Sequence, residues 1–241
     1  MESVSVENLS MATVSKRVPT GIEGLDDLIQ GGFPKGAVIL LAGGTGSGKT
    51  IFSTQFIYNG GSQFGEKGVY VTFEEDGKTL KRNMLKFGMD FEKLESKGLV
   101  KLIDLEVLQG GGLNANFEYI LNTLEQINAK RLVIDSLTAF LASCPEKLEY
   151  RMVMHLIYKI LKTRECTTIM TCSVPIGAKT LGLGIEEFVA DSVIFLENAM
   201  DGLELKTRLL IHKMRGTDHS KKYHNVLVTN KGLQIVPFAV T

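Results

Sequence analysis

The chain has 241 residues, 44% of them hydrophobic, which suits one large α/β domain burying roughly 70–75% of its unfolded surface. Its 27 Lys and Arg balance 27 Asp and Glu, so no global field is available to hold nucleic acid or an anionic membrane. Cys144, Cys166 and Cys172 lack metal spacing and are odd in number, which suits structural thiols in a reducing compartment better than a disulfide framework. The longest apolar runs, such as AVILLA at 37–42, fall far short of the ~20 residues of a membrane helix. The start, MESVSVENLS, has no signal-peptide layout, so a soluble, cytoplasmic protein is expected.

Residues 1–17 are polar and unpatterned and are expected to form a flexible tail, with a single domain over 18–241. Five short apolar, β-branched runs then read as buried strands: AVILLAGG (37–44), GVYVTFEE (68–75), LVKLIDLE (99–106), RLVIDS (131–136) and TTIMTC (167–172). Helical patterns lie between them at 50–59, 78–87, 117–129 and 148–164, the last with Met152, Leu156 and Ile160 on one face. Alternating strand and helix predicts a mainly parallel sheet flanked by helices on both sides. The last third (SVIFLEN, TRLLIHKMR, HNVLVTN, LQIVPF, with MDG and NKG turns) predicts antiparallel hairpins extending that sheet. In such a fold, ligands bind off the carboxyl ends of the strands.

One of those ends carries GGTGSGKT at 43–50, which fits G-x-x-x-x-G-K-[ST] between a predicted strand and a predicted helix. Gly43, Gly44, Gly46 and Gly48 let successive N–H groups form an anion nest at a helix N-terminus. The expected nucleotide site therefore runs from Gly44 through Thr45, Gly46, Ser47, Gly48, Lys49 and Thr50 to Ile51. Lys49 is expected to reach the β- and γ-phosphates of ATP, and Thr50 to ligate Mg2+. In RLVIDS, Asp135 follows Leu132, Val133 and Ile134 at the carboxyl end of a predicted buried strand, where it could hold the Mg2+ through water. GVYVTFEE ends in Glu74 and Glu75, which point to opposite sides if the strand continues through them. Glu74 is favoured as the group that orients or deprotonates the attacking water, with Glu75 in support or facing a neighbouring subunit.

Near the C-terminus, IHKMRGTDH (211–219) gathers Lys213, Arg215 and two histidines in a neutral protein. On a strand, Lys213 and Arg215 share a face, while His212 and Met214 face the other way. Two cations at one height suit one phosphate.

Taken in order, VPTGIEGLDDLIQGGFPKGAVILLAGGTGSGKTIFSTQFIYNG, GVYVTFEE, RLVIDSLTAF, GIEEFVADSVIFL and HKMRGTDH resemble the KaiC branch of the RecA-like ATPases over nearly the whole chain. The resemblance implies a RecA-type core that assembles into a homo-oligomeric ring, a hexamer, with ATP between neighbouring subunits. It implies that Lys213 and Arg215 reach the γ-phosphate bound by the next subunit, as an arginine finger does. It also implies that Met214, Thr217 and His219 help to hold that nucleotide. Asn230 stands where the clock protein of this family has an aspartate near the base or sugar, which leaves adenine recognition less secure. The clock protein carries two such domains in tandem and this chain one, so a circadian role does not follow. Where the autophosphorylating domain of the clock protein has adjacent Ser and Thr, this chain has Glu186 and Glu187, so self-phosphorylation there is not expected; Thr180 and Ser192 stay open.

Two other readings stay open. The loop SVPIGAKTLGLG at 173–184 could face single-stranded nucleic acid in a ring, but it has one lysine and no aromatic. The most cationic stretch, KTLKRNMLKFG at 78–88, reads more readily as a helix face than as a groove. The same motifs would also serve a slow nucleotide switch that acts as a scaffold for an unidentified protein partner. The four histidines have no metal-ligand spacing, so catalytic zinc is not expected.

Overall fold

A computed structural model of the chain describes residues 16–105, 112–141, 147–175 and 189–237. A short antiparallel pair, β1 (Arg17–Val18) and β2 (Phe33–Pro34), brackets a lead-in with one 3-10 turn at Asp26–Ile29. Then come β3 (Val38–Gly43), α1 (Lys49–Phe64), β4 (Gly68–Thr72), α2 (Gly77–Leu85), α3 (Phe91–Ser96), β5 (Val100–Asp104) and α4 (Gly112–Ile127). They are followed by β6 (Arg131–Asp135), α5 (Leu137–Leu141), α6 (Lys147–Thr163) and β7 (Thr167–Ser173). Two hairpins end the chain: β8 (Ser192–Asp201) with β9 (Glu204–Met214), and β10 (His224–Thr229) with β11 (Gly232–Pro237).

Strands β3 to β11 form one sheet in the order β11-β10-β9-β8-β3-β7-β6-β4-β5. From β8 to β5 the pairings are parallel, and from β8 outward to β11 they are antiparallel, as expected of this fold class. Side chains alternate across the sheet into two cores. Ile39 and Leu41 pack with Phe52, Phe56, Leu80 and Phe91 of α1, α2 and α3. Val38 and Leu40 pack with Ile120, Phe140, Met154 and Leu161 of α4, α5 and α6. Burial on both faces is why these strands read as continuous apolar runs. Among the described residues no helix is long and apolar enough to cross a membrane.

Four expectations are corrected. Strand β4 stops at Thr72, not Glu75, because the Thr72 hydroxyl donates to the Glu75 carbonyl and accepts the Glu75 N–H, folding the chain into a turn. Asp76 then caps α2 by accepting the Thr79 N–H, so alternation along a strand does not set where Glu74 and Glu75 point. Helix α1 runs on past residue 59 through Gly60 and Gly61, since Gly60 lies against the fully buried Arg131 and leaves no room for a Cβ. On α6 the core takes Met154, Ile157 and Leu161, and Met152 and Leu156 stand 74% and 57% exposed. On β9 a bulge opposite Val193 and Ile194 leaves His212 exposed, not buried alongside Met214.

Candidate active site

The carboxyl ends of β3, β7, β6 and β4 meet around the glycine-rich loop. Gly46 and Gly48 hold φ of +74° and +90°, left-handed values that favour glycine. A Cβ on Gly43 would lie 2.6 Å from both the Leu196 carbonyl and Ser47 Oγ, so the loop can turn there only with glycine. Thr45 and Gly46 face solvent, and nothing stands within 4 Å of the position a Gly46 Cβ would take, which leaves the cradle open. Ile51 packs against the α1 core, and Ser47 is buried.

Lys49 folds back on its own loop and donates to the Gly43 and Gly44 carbonyls, at 2.9 Å each. Burial pulls its ammonium below the usual lysine range, opposed by Asp135, Cys172 and Glu74 around it. A cation held over an open nest of N–H groups is a donor set for a polyphosphate.

Asp135 is gripped by three hydroxyls. Its Oδ2 accepts from Thr50 at 3.1 Å and from Tyr70 at 2.5 Å, and its Oδ1 accepts from Thr171 at 2.5 Å. Tyr70 is fully buried on β4, and desolvation together with the adjacent Asp135 carboxylate raises its phenol well above the ordinary tyrosine range. The Thr50 hydroxyl and Asp135 carboxylate thus stand side by side, a hard-oxygen pair that fits Mg2+ once phosphate oxygens and water complete the shell. When bound there, Mg2+ would neutralise charge on the β- and γ-phosphates.

The two glutamates part company at the turn after β4. Glu74 Oε1 accepts from Ser136 Oγ at 2.8 Å, beside Asp135, while Glu75 Oε1 accepts from Asn83 of α2 at 3.0 Å. Ser136 also caps α5 by accepting the Ala139 N–H. Tyr70, Thr171 and Ser136 are site residues that motif reading missed. The available signal was a hydroxyl within or just after an otherwise apolar buried strand, Tyr70 in β4, Thr171 in β7 and Ser136 after β6.

The other expected residues lie elsewhere. Val193 pairs with both Leu40 and Lys213, so Lys213 is level with a position three residues before Gly43. Arg215 N–H donates to the Asp191 carbonyl and Asp191 N–H to the Val38 carbonyl, which puts Arg215 level with Val38. The interval from Val38 to Gly43 is five residues, or about 16 Å of strand. Arg215 therefore sits at the far end of β3 from the loop of its own chain, and Lys213, level with mid-strand, turns its Nζ the same way to the Ala190 carbonyl. Met214 between them is buried, Thr217 accepts from Arg17, and His219 Nδ1 lies 3.0 Å from the Ser220 carbonyl. Asn230, in the β10–β11 turn, is at the loop's own end, where Gln55 of α1 clasps the Leu233 backbone and Leu233 packs over Gly48. Glu186, Glu187 and Thr180 lie outside the described residues, and Ser192 is fully buried.

Comparison with known proteins fits this layout. A family model described as "ATPase: KaiC" matches residues 18–239. A UPF0273 protein of Pyrococcus furiosus is 37% identical over 238 residues, covering 92% of this chain and 94% of that one. The circadian clock oscillator protein KaiC of Synechococcus elongatus is 35% identical over 244 residues, covering 98% of this chain and 47% of the clock protein, about half its length. The crystal structure of a KaiC-like protein from Pyrococcus horikoshii superposes with a TM-score of 0.85 at 42% identity, over 92% of this chain and all of that one. With its P-loop, its strand order and a match from residue 18 to residue 239, the chain belongs to the KaiC family of RecA-like ATPases.

Proposed function

We propose that this chain binds Mg-ATP in the cradle from Gly44 to Ile51 and hydrolyses it to ADP and phosphate at the interface between subunits of a ring, a homohexamer. One observation supports this reading: Arg215 stands five residues down the sheet from Gly43 of its own P-loop, and Lys213 three residues down with its Nζ turned away to the Ala190 carbonyl, so the pair faces away from the phosphate cradle of its own chain. In this scheme Lys49 and the loop N–H groups hold the β- and γ-phosphates, and Thr50 and Asp135 supply the metal's protein oxygens. Glu74, aimed by Ser136 toward the Asp135 side, takes the proton of the attacking water. Glu75, turned to Asn83, supports the turn. Lys213 and Arg215 of the neighbour meet the charge that builds on the transferring phosphoryl group, a contribution of about 10³–10⁵ in rate or roughly 4–7 kcal/mol. Thr217 and His219 flank the nucleotide from that same neighbour, Met214 is left to anchor their turn in its own core and not to touch the nucleotide with its side chain, and Asn230 approaches from the chain that holds the P-loop. Autophosphorylation is not part of the proposal, and nucleotide state is read out as assembly and binding of a protein partner. The cationic stretch at 78–88 supports this over strand binding, because it folds as α2 with Leu80 and Met84 buried, not as an open groove.

The test mixes two inactive proteins. Glu74→Gln and Arg215→Ala should each lose nearly all ATPase activity alone, and mixing them should restore part of it through interfaces that pair an intact Glu74 with an intact Arg215. Full activity of Arg215→Ala alone, or no recovery on mixing, would sink the shared-site reading.

A further inference from the structure

The end of β9 and the turn after it, which bear Lys213 and Arg215, are tied to one dipeptide. Lys213 Nζ donates to the Ala190 carbonyl at 2.7 Å, and the Arg215 N–H donates to the Asp191 carbonyl at 3.0 Å. The Asp191 side chain, 11% exposed, is itself fixed from several directions. Its Oδ2 accepts the Val38 N–H at 3.0 Å and meets Lys162 Nζ at 3.2 Å. Its Oδ1 accepts the Tyr158 hydroxyl at 2.8 Å and lies 3.8 Å from Arg215 Nη1. Tyr158 and Lys162 are one helical turn apart on α6, so helix and sheet together hold the carboxylate still. The Arg215 guanidinium, 53% exposed, is the partner with room to move. It also acts on the Tyr158 phenol: burial and Asp191 raise that hydroxyl above the ordinary tyrosine range, and Arg215 opposes them.

The strength of this seat matters as much as its place. The ion pair to Asp191 at 3.8 Å is weak for a half-exposed arginine, and Lys162 already shares the charge of Asp191, while the Tyr158 hydroxyl that braces Asp191 also accepts a hydrogen bond from the guanidinium. Such a carboxylate narrows the directions that the guanidinium samples without holding it against a polyphosphate, which carries more charge and offers fork-on geometry to arginine. Prepaying orientation in this way is how a positioning group raises a rate.

We propose that Asp191, braced by Tyr158 of α6, is the positioning residue that aims Arg215 of one subunit at the nucleotide of the next. This rests on the shared-site reading above. It makes α6 and the two residues before β8 part of the catalytic apparatus, although Asp191 lies level with Val38, at the end of the sheet away from its own P-loop.

The experiment is a double-mutant cycle on the full chain with Tyr158→Phe, Arg215→Ala and the pair, reading kcat, the KM for ATP and the mass of the assembly. Tyr158→Phe removes one hydroxyl and no packing volume of note. It should lower kcat by about tenfold, as small misplacements of a catalytic group do, with KM and assembly mass unchanged. On the Arg215→Ala background it should cost nothing further, because the group it aims is gone. An unchanged kcat in Tyr158→Phe, or the same loss on both backgrounds, overturns the proposal and leaves the shared site standing. Full activity of Arg215→Ala overturns the shared site itself. If Tyr158→Phe fails to fold, Asp191→Asn carries the same comparison, since its amide oxygen can still accept the Val38 N–H.

Discussion

Replacing Tyr70 by Phe tests whether the grip on Asp135 is part of the active site. The substitution keeps the ring in its buried slot and deletes the hydroxyl that donates to Asp135 Oδ2 at 2.5 Å. Ser53 Oγ, 3.3 Å from that hydroxyl, keeps its bonds to the Lys49 and Thr50 carbonyls, and Asp135 keeps Thr50 and Thr171. The loss is therefore one hydrogen bond to a charged group, worth about 1.5–3 kcal/mol. For a domain of this size each kcal/mol moves the melting point by about 2–4 °C, so Tm should fall by about 3–12 °C in calorimetry. With Asp135 less firmly oriented, the Mg2+ concentration for half-maximal ATPase activity should rise about tenfold, as for other outer partners of metal ligands. The same contact has a pH signature. The Tyr70 phenol is raised above its ordinary value of 10.0 in the folded chain, so folding favours the neutral form. Its stabilisation is complete below pH 10 and is lost as pH climbs from there through the folded value. Tyr70→Phe should flatten the decline of unfolding free energy above pH 10. An unchanged Tm together with an unchanged Mg2+ dependence would refute the reasoning.

Three further outcomes follow from the geometry. Arg131→Ala strips a fully buried guanidinium from Glu66 and from the Phe56 and Pro19 carbonyls, so it should cost about 3–5 kcal/mol; a fall in Tm of less than about 3 °C by calorimetry would contradict this. Glu74→Gln should reduce kcat by about 10²–10⁴, and Glu75→Gln, which alters a contact to Asn83, by less than about tenfold; steady-state ATPase assays showing the reverse order would exchange the two roles. Burial pushes the Cys166 thiol up to about 12, so iodoacetamide at pH 8 should leave it unlabelled in the native chain and modify it in denaturant, as read by mass spectrometry.

The sheet was legible because each central strand is covered on both faces, which leaves an uninterrupted apolar run that periodicity detects. Where strands and helices end was less so, since ends are set by single side chains. The Thr72 hydroxyl closes β4 three residues early, and the space needed by Arg131 carries α1 through Gly60 and Gly61. Neither changes the apolar pattern. Helix α6 misled for another reason: the sequence from 148 to 161 is apolar at so many positions that two stripes compete, and only the packing against β3 selects Met154, Ile157 and Leu161. The P-loop is readable because its parts are adjacent in the chain. Tyr70 and Thr171 were missed because they reach Asp135 across 65 and 36 residues, joined by the strand order β7-β6-β4. Likewise the distance from Arg215 to the P-loop follows from the β8–β9 register and its bulge, which no local pattern carries.

That register also decides whether Arg215 could ever serve its own P-loop. The gap of about 16 Å is longer than an arginine side chain, so β9 would have to slide by about five residues along β8. Five is odd, and an odd slip turns every side chain of the strand to the opposite face. Leu209, Ile211 and Met214, now almost fully buried, would come out to solvent. At about 1.5–3 kcal/mol each, the slip costs roughly 5–9 kcal/mol, which is comparable to the entire stability of a domain. Contacts of β9 with β10 and of the following turn with Ala190 and Asp191 would be lost as well. The fold thus keeps a firm core by fixing Arg215 out of reach of the site its sequence pattern suggests. Arg215 acts on the phosphate of another chain or on none, and mixing Glu74→Gln with Arg215→Ala separates those two outcomes.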